Sequence, residues 1–290
     1  MKVFATSRLP YLLRLSDGEY GALRLSRIVQ DADHGQPGRA YTEVALPFDA
    51  EPDANGDERQ RLAVRKVQEL LLATNKLLRW YRTATSLASV LEVTQVQLSP
   101  IRFVVEMPEP NGSNTYHDDL IYELPIRQGT HVLPAELERR VRQGVGSGSE
   151  PPVADLFLLD AEAAKDIGRF REAVLFSWST IDSVFNTAYD ALVNERLVGE
   201  RSESREHLQG KAGEMPLKVK MTAMLRLLSG RSLFSEQRQW QALNESYQRR
   251  NRIIHSGDNA TEADAAQALV VARWVVEFMK NVRVQSDSVG

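Results

Sequence analysis

Near the C-terminal end of the chain, the run YQRRNRIIHSG, residues 247–257, gathers three arginines, one asparagine and one histidine. These are the residue types that metal-free RNA cleavage needs: a base for the 2′-OH proton, an acid for the leaving 5′-oxygen and a cation for the phosphorane. Histidine titrates near ~6.5 and serves as base or acid around neutrality. Arginine stays charged and presents a fork of donors to phosphate oxygens. Asn251 and His255 are spaced i, i+4, which makes them neighbours on a helix. In that position Asn251 orients the imidazole or donates to phosphate. Arg250 and His255 are five apart, roughly 140° around an ideal helix, so one chain does not bring both onto one atom. Nor can one histidine act as acid and base on one substrate in a single step. A two-fold dimer supplies two copies of each residue to one cleft and removes both difficulties. Ser256 and Gly257 close the helix behind His255, where the dipole favours a positive charge. The simpler reading of the same run is the polar end of an ordinary helix.

The elements that must position these residues lie in the second half of the chain. After residue 153 strand signals stop and four helices are expected. The first covers about 156–196 with a break near Gly168, its apolar stripe being Phe170, Val174, Ile181, Phe185, Ala188 and Leu192. The second runs from Pro216 to the SGR turn, with Val219, Ala223, Leu227 and Leu228 inward. The third starts from Ser235 as N-cap and ends near His255, burying Trp240, Leu243, Tyr247 and Ile254, with Asn251 on that face. The fourth starts at a capping box in TEAD, from Thr261, and ends near Val282, with Ala265, Leu269, Ala272, Val276 and Met279 inward. Short connections make this a four-helix bundle. A polar loop is expected over 199–214.

The first half has a different period. Residues 1–48 alternate like strands, with SDGEYG as a hairpin turn. A long amphipathic helix is expected over 59–82, and the strand-like runs LEVTQVQL, IRFVVEM and LIYELPI follow. Within LLRWYR, residues 77–82, Leu77, Leu78 and Tyr81 continue the buried stripe, so its basic and aromatic side chains serve packing. The expectation is an α+β domain over 1–130, a mostly antiparallel sheet with one long helix over one face. A short helix from Pro134 to Gly144 and the linker GVGSGSEPP make up 131–152, and the helical bundle occupies 153–290.

A bundle whose third helix ends in Arg-polar-x-x-x-His resembles the HEPN superfamily, through Arg250, Asn251 and His255 in RNRIIH. The first long helix, GRFREAVLFSWSTIDSVFN, is similar to the family's opening pattern, with Asp182 where many members carry an acidic residue. The LPAELERRV lead-in looks like that of the Apea-like branch, and the resemblance spans about 134–283. It implies a homodimeric, metal-independent endoribonuclease with a composite site, acting as a toxin or phage-defence effector. Arg250 and His255 would be the catalytic pair with Asn251 in support, and Asp182 would stand behind them. It also implies an antitoxin or a phage-derived trigger as regulatory partner. Between 205 and 255 there are ten Lys or Arg against four Glu, in a chain of net charge −3. Arg249, Arg252, Lys218 and Lys220 of that patch are the expected RNA backbone contacts. The rival reading is a catalytically silent HEPN-like module for dimerisation or for nucleotide or RNA binding.

Other chemistries find less support. The chain has no cysteine, which rules out disulfides, a thiol nucleophile and a cysteine zinc site. His117, Asp118 and Asp119 in TYHDD are adjacent, so on a strand they point to alternate faces and do not converge on a metal. His34 reads as a loop residue, and His131 and His207 have no partners at ligand spacing. No phosphate-binding glycine loop or Ser-His-Asp set occurs, and no cofactor is expected. The start MKVFATSRLPYLLRL lacks the long apolar core of a secretory signal, and no run approaches the ~18 apolar residues of a membrane span. A cytoplasmic protein is expected.

Overall fold

The structure, a computed structural model, describes residues 2–30, 39–51, 55–98, 101–105, 133–196 and 216–286. The chain divides into two compact units, Met1–Pro151 and Pro152–Gly290.

In the first unit, strands β1 (Lys2–Arg8), β2 (Gly18–Tyr20), β3 (Leu23–Gln30), β4 (Arg39–Asp49) and β5 (Arg102–Val105) form one antiparallel sheet. Their order is β2-β3-β4-β1-β5. Alternation puts Ala5, Leu23, Leu25, Val44 and Leu46 on one face. Leu70, Leu77, Leu78 and Tyr81 of helix α1 (Gly56–Thr85) share their core. A capping box between Asn55 and Glu58 starts that helix, satisfying first-turn N–H groups that have no intrahelical partner. The antiparallel sheet and the long helix are therefore as expected.

Three local expectations in this unit are corrected. The hairpin turn lies at the end of SDGEYG and not across it: Gly18–Tyr20 pair with β3, and the chain reverses at Gly21, whose φ of +62° suits glycine. LEVTQVQL is not a strand, because Asn75 of α1 takes its main chain side-on. The Asn75 amide donates to the Val93 carbonyl at 2.9 Å and accepts from the Val93 N–H at 2.8 Å. Those are groups a ladder would need. Gly144 does not end the short helix. Helix α2 (Ala135–Gly146) runs past it, and Gly144 is the point where α2 meets the Trp80 ring. The segment read as a linker, GVGSGSEPP, makes contacts with α1. Arg79 pairs with Glu150 at 2.8 Å, and the Trp80 indole donates to the Ser149 carbonyl at 3.1 Å. LIYELPI, TYHDD, His34, His131, His207 and the 199–214 loop lie outside the described residues.

The second unit is helical. Helices α3 (Val153–Asp166) and α4 (Phe170–Arg196) are separated at Gly168, φ +78°. Helix α5 covers residues 217–229, and helices α6 (Gln237–Ser256) and α7 (Glu262–Ser286) follow. The core joins Val174, Trp178, Ile181, Phe185 and Leu192 of α4 to Leu243 and Ile253 of α6 and to Ala265, Ala272 and Met279 of α7. Truncating a buried leucine in such a core to alanine costs about 2–5 kcal/mol. Thr261 and Asp264 cap α7 reciprocally at 2.8 and 3.2 Å, as expected from TEAD.

Three side-chain expectations change here. Ser235 is not the cap of α6: Ser232 caps a short 3-10 turn, Leu233–Ser235, and α6 starts after it. Ile254 is 45% exposed, and the buried row is Trp240, Leu243, Ser246 and Ile253. The α5 stripe is also rotated. Lys220–Met224 is a π-helical turn, whose wider winding turns Val219, Ala223 and Leu227 outward and buries Lys220, Met221 and Leu225.

Candidate functional site

Helix α6 is moored to α4 by one tryptophan. The Trp178 indole N–H donates to Ser246 Oγ at 3.0 Å, and its ring meets Tyr247 edge-on at 5.3 Å. Tyr247 is thereby committed to packing. Four residues further along both helices stand Asp182 and Arg250. Burial pushes the Asp182 carboxyl above its ordinary range, against the opposing pull of Arg250 and Lys220. Lys220 is only 7% exposed, and its Nζ donates to Asn186 Oδ1 at 2.9 Å. Arg250 Nη1 donates to Asn251 Oδ1 at 3.1 Å. The row Trp178, Asp182, Asn186 on α4, the π turn of α5 and the last turns of α6 thus converge on one polar cluster.

The remaining expected site residues lie elsewhere. His255 is exposed in the last turn of α6, with Gly257 closing the helix at φ +71°. Arg249, one position before Arg250, turns about 100° away. It pairs with Asp264 at 3.0 Å and Asp258 at 3.5 Å and donates to the Asn259 carbonyl. Burial opposes ionisation of Asp264, yet Thr261 and Arg249 together hold its carboxyl below the usual range. Arg249 is therefore spent on the α6–α7 connection. Arg252 lies on the surface within 3.6 Å of Asp258, and Lys218 is exposed. Lys220, expected among the surface cations, is buried instead because the π turn rotates it inward.

The structure brings together Asp182, Lys220, Arg250 and Asn251, and it leaves His255 at the rim. Sequence reasoning missed Asn186. Its signal was present: Asp182 and Asn186 follow Trp178 at i+4 steps, a polar row beside the apolar stripe. Among the described residues, no group of three or more His, Cys, Asp or Glu side chains could hold a metal ion. Among the described residues, no helix is long and apolar enough to cross a membrane. No protein-family model, curated protein or solved structure matches the chain.

Proposed function

We propose that the second unit is a HEPN-type bundle that acts as a homodimeric, metal-independent endoribonuclease, a toxin or phage-defence effector in the cytoplasm. The first unit recognises its target or trigger. The observation that carries this reading is the geometry at the end of α6. A half-buried guanidinium is attracted toward Asp182 beside Lys220, while an exposed imidazole stands five residues on, at the rim. Two such rims facing each other across a two-fold axis place two imidazoles and two guanidinium groups around one phosphodiester. One His255 takes the 2′-OH proton and the other protonates the leaving 5′-oxygen, so the products are a 2′,3′-cyclic phosphate and a 5′-hydroxyl. Arg250 neutralises the charge carried by the non-bridging oxygens of the phosphorane, and Asn251 steadies the guanidinium by accepting from its Nη1. The half-exposed Ile254 beside these residues supplies apolar area for the subunit contact.

The test is RNA incubated with the protein in EDTA, next to His255→Ala of matched fold. Loss of general acid–base catalysis lowers cleavage by at least about a hundredfold. Cleavage that needs a metal, or that survives in the variant, rejects the proposal. A strictly monomeric protein at micromolar concentration rejects the composite site. A second reading draws on the inward attraction between Arg250 and Asp182. A guanidinium held that way serves equally a silent bundle that binds RNA or a nucleotide. Unaltered RNA binding with no cleavage by either protein selects that reading.

A further inference from the structure

Asp182 is a half-buried carboxylate flanked by two cations from two different elements, Lys220 of α5 and Arg250 of α6. Neither closes an ion pair with it. Arg250 spends a hydrogen bond on Asn251, and Lys220 spends one on Asn186. Among the described residues, no hydrogen bond or ion pair joins Asp182 to Arg250 or to Lys220. The guanidinium has five donors, so most of its hydrogen-bonding capacity remains open. Such restraint needs a cause, because a carboxylate facing a single arginine normally forms a bidentate pair with it.

The cause lies in the π turn. A π-helical stretch is rare, and such turns are frequent at functional sites. Here it turns Lys220 inward, to 7% exposure, and sets its ammonium on Asn186, an exposed residue one turn of α4 beyond Asp182. Burying an ammonium is unfavourable unless counter-charge and hydrogen bonds meet it. Asn186 and the field of Asp182 do so.

We propose that Lys220 is a positioning residue of the site: by sharing the Asp182 carboxylate, it keeps that carboxylate from capturing Arg250 and leaves the guanidinium free for phosphate. The inference rests on the ribonuclease reading for its consequence and on the α4–α5–α6 geometry for its cause. Asp182 anchors the arginine's direction, Asn186 fixes the lysine, and the two cations hold each other's attraction to the carboxylate in balance.

The experiment is a double-mutant cycle in the full chain, with Lys220→Met, Asp182→Asn and the pair, reading RNA cleavage in EDTA. Lys220→Met leaves Asp182 alone with Arg250, and the arginine is drawn in. The expected result is a fall in kcat of about tenfold, with KM changed by less than about twofold, since a charge needed in the transition state has been withheld. Adding Asp182→Asn to Lys220→Met removes the captor and returns kcat to the level of Asp182→Asn alone. A merely structural lysine predicts the opposite, a double variant as slow as Lys220→Met or slower; that result overturns the proposal. A second readout does not depend on cleavage. Carboxyl 13C NMR follows the Asp182 titration in the Arg250→Met background, where no arginine is left to be drawn in, and adding Lys220→Met must move the midpoint up, the remaining attracting cation having been lost. An unmoved midpoint on adding Lys220→Met to Arg250→Met overturns the shared carboxylate, whether or not the protein cuts RNA. A moved midpoint in a protein that never cuts RNA supports the charge sharing and rejects the ribonuclease reading.

Discussion

Arg249 separates a structural role from a nucleic-acid role more sharply than any other residue in the chain. Its motif neighbours and its charge make it an RNA contact on paper, whereas the structure spends it on the α6–α7 connection. Arg249→Ala deletes ion pairs to Asp264 at 3.0 Å and to Asp258 at 3.5 Å, and the bond to the Asn259 carbonyl. The side chains of Arg249 and Asp264 are 21% and 23% exposed, so the pair is neither a screened surface bridge nor a dry one. Hydrogen bonds to charged groups contribute about 1.5–3 kcal/mol. Residual solvation of both partners discounts the upper end, which leaves about 2 kcal/mol for the substitution. In a domain of this size that is roughly 5–10 °C in Tm. The pH dependence has a definite sign. The native Asp264 carboxyl is held below the usual range, so its stabilisation is present above the unfolded value near ~3.9 and is lost as pH falls through the native one. Arg249→Ala therefore narrows the gap between neutral and acid stability. Melts followed by circular dichroism across the acid range measure this. RNA affinity measured against salt gives the contrast. A clamp residue leaves the slope of log Kd against log salt unchanged, whereas a phosphate contact lowers it by about one. A variant with unaltered Tm and a slope reduced by one would make Arg249 a phosphate contact and not a clamp.

Two further expectations concern the first unit. Gly144→Ala gains about 1 kcal/mol of helix propensity, but its Cβ would lie 2.3–2.6 Å from ring carbons of Trp80. Overpacking costs about 1–3 kcal/mol, and displacing the ring also breaks its bond to Ser149. Urea unfolding should therefore show a net loss, and a gain would mean that α2 does not press on Trp80. Burial, reinforced by the Glu138 carboxylate, pushes the Tyr20 phenol up to about 12. Its stabilisation is complete below the unfolded value near ~10 and is lost as pH rises through the native one. Tyr20→Phe should cost about 1–2 kcal/mol near neutrality, having given up bonds to Glu138 and Ser16. It should also abolish that alkaline step; a step that persists assigns the transition to another group.

The parts legible in the sequence were those governed by local periodicity. The long α1 stripe, the break at Gly168 and the Thr261–Asp264 cap all follow from side chains within one or two turns of each other. The illegible parts were decided by partners distant along the chain. LEVTQVQL has strand composition, yet Asn75, from an earlier helix, satisfies its backbone and leaves no ladder to build. Gly144 reads as a helix stop because glycine usually ends helices, but here its missing Cβ admits an indole. In α5 a single π turn shifts the facing of every residue around it, and no 3.6-residue template anticipates that. For the candidate site the consequence was direct: a lysine counted as a surface cation became a buried neighbour of Asp182.

Helix rotation also explains why neighbouring arginines part company. One step of about 100° separates Arg249 from Arg250. The row that continues from Glu245, which meets Gln267 of α7, carries Arg249 to Asp264. The row that continues from Ser246, bonded to Trp178 of α4, carries Arg250 toward Asp182. Each arginine is therefore claimed by the helix its row faces, and the strength of the claim decides what remains for a ligand. Two carboxylates and a carbonyl take Arg249. A carboxylate that already faces a second cation only attracts Arg250, and its donors stay largely open. Charge counting along the segment treats the two as equals. Their division of labour comes from the angular position of Ser246 and Glu245 one turn earlier, so rotating α6 by a single residue would hand the α7-facing place to Gln248 or the α4-facing place to Asn251, and only one of the two places would keep an arginine.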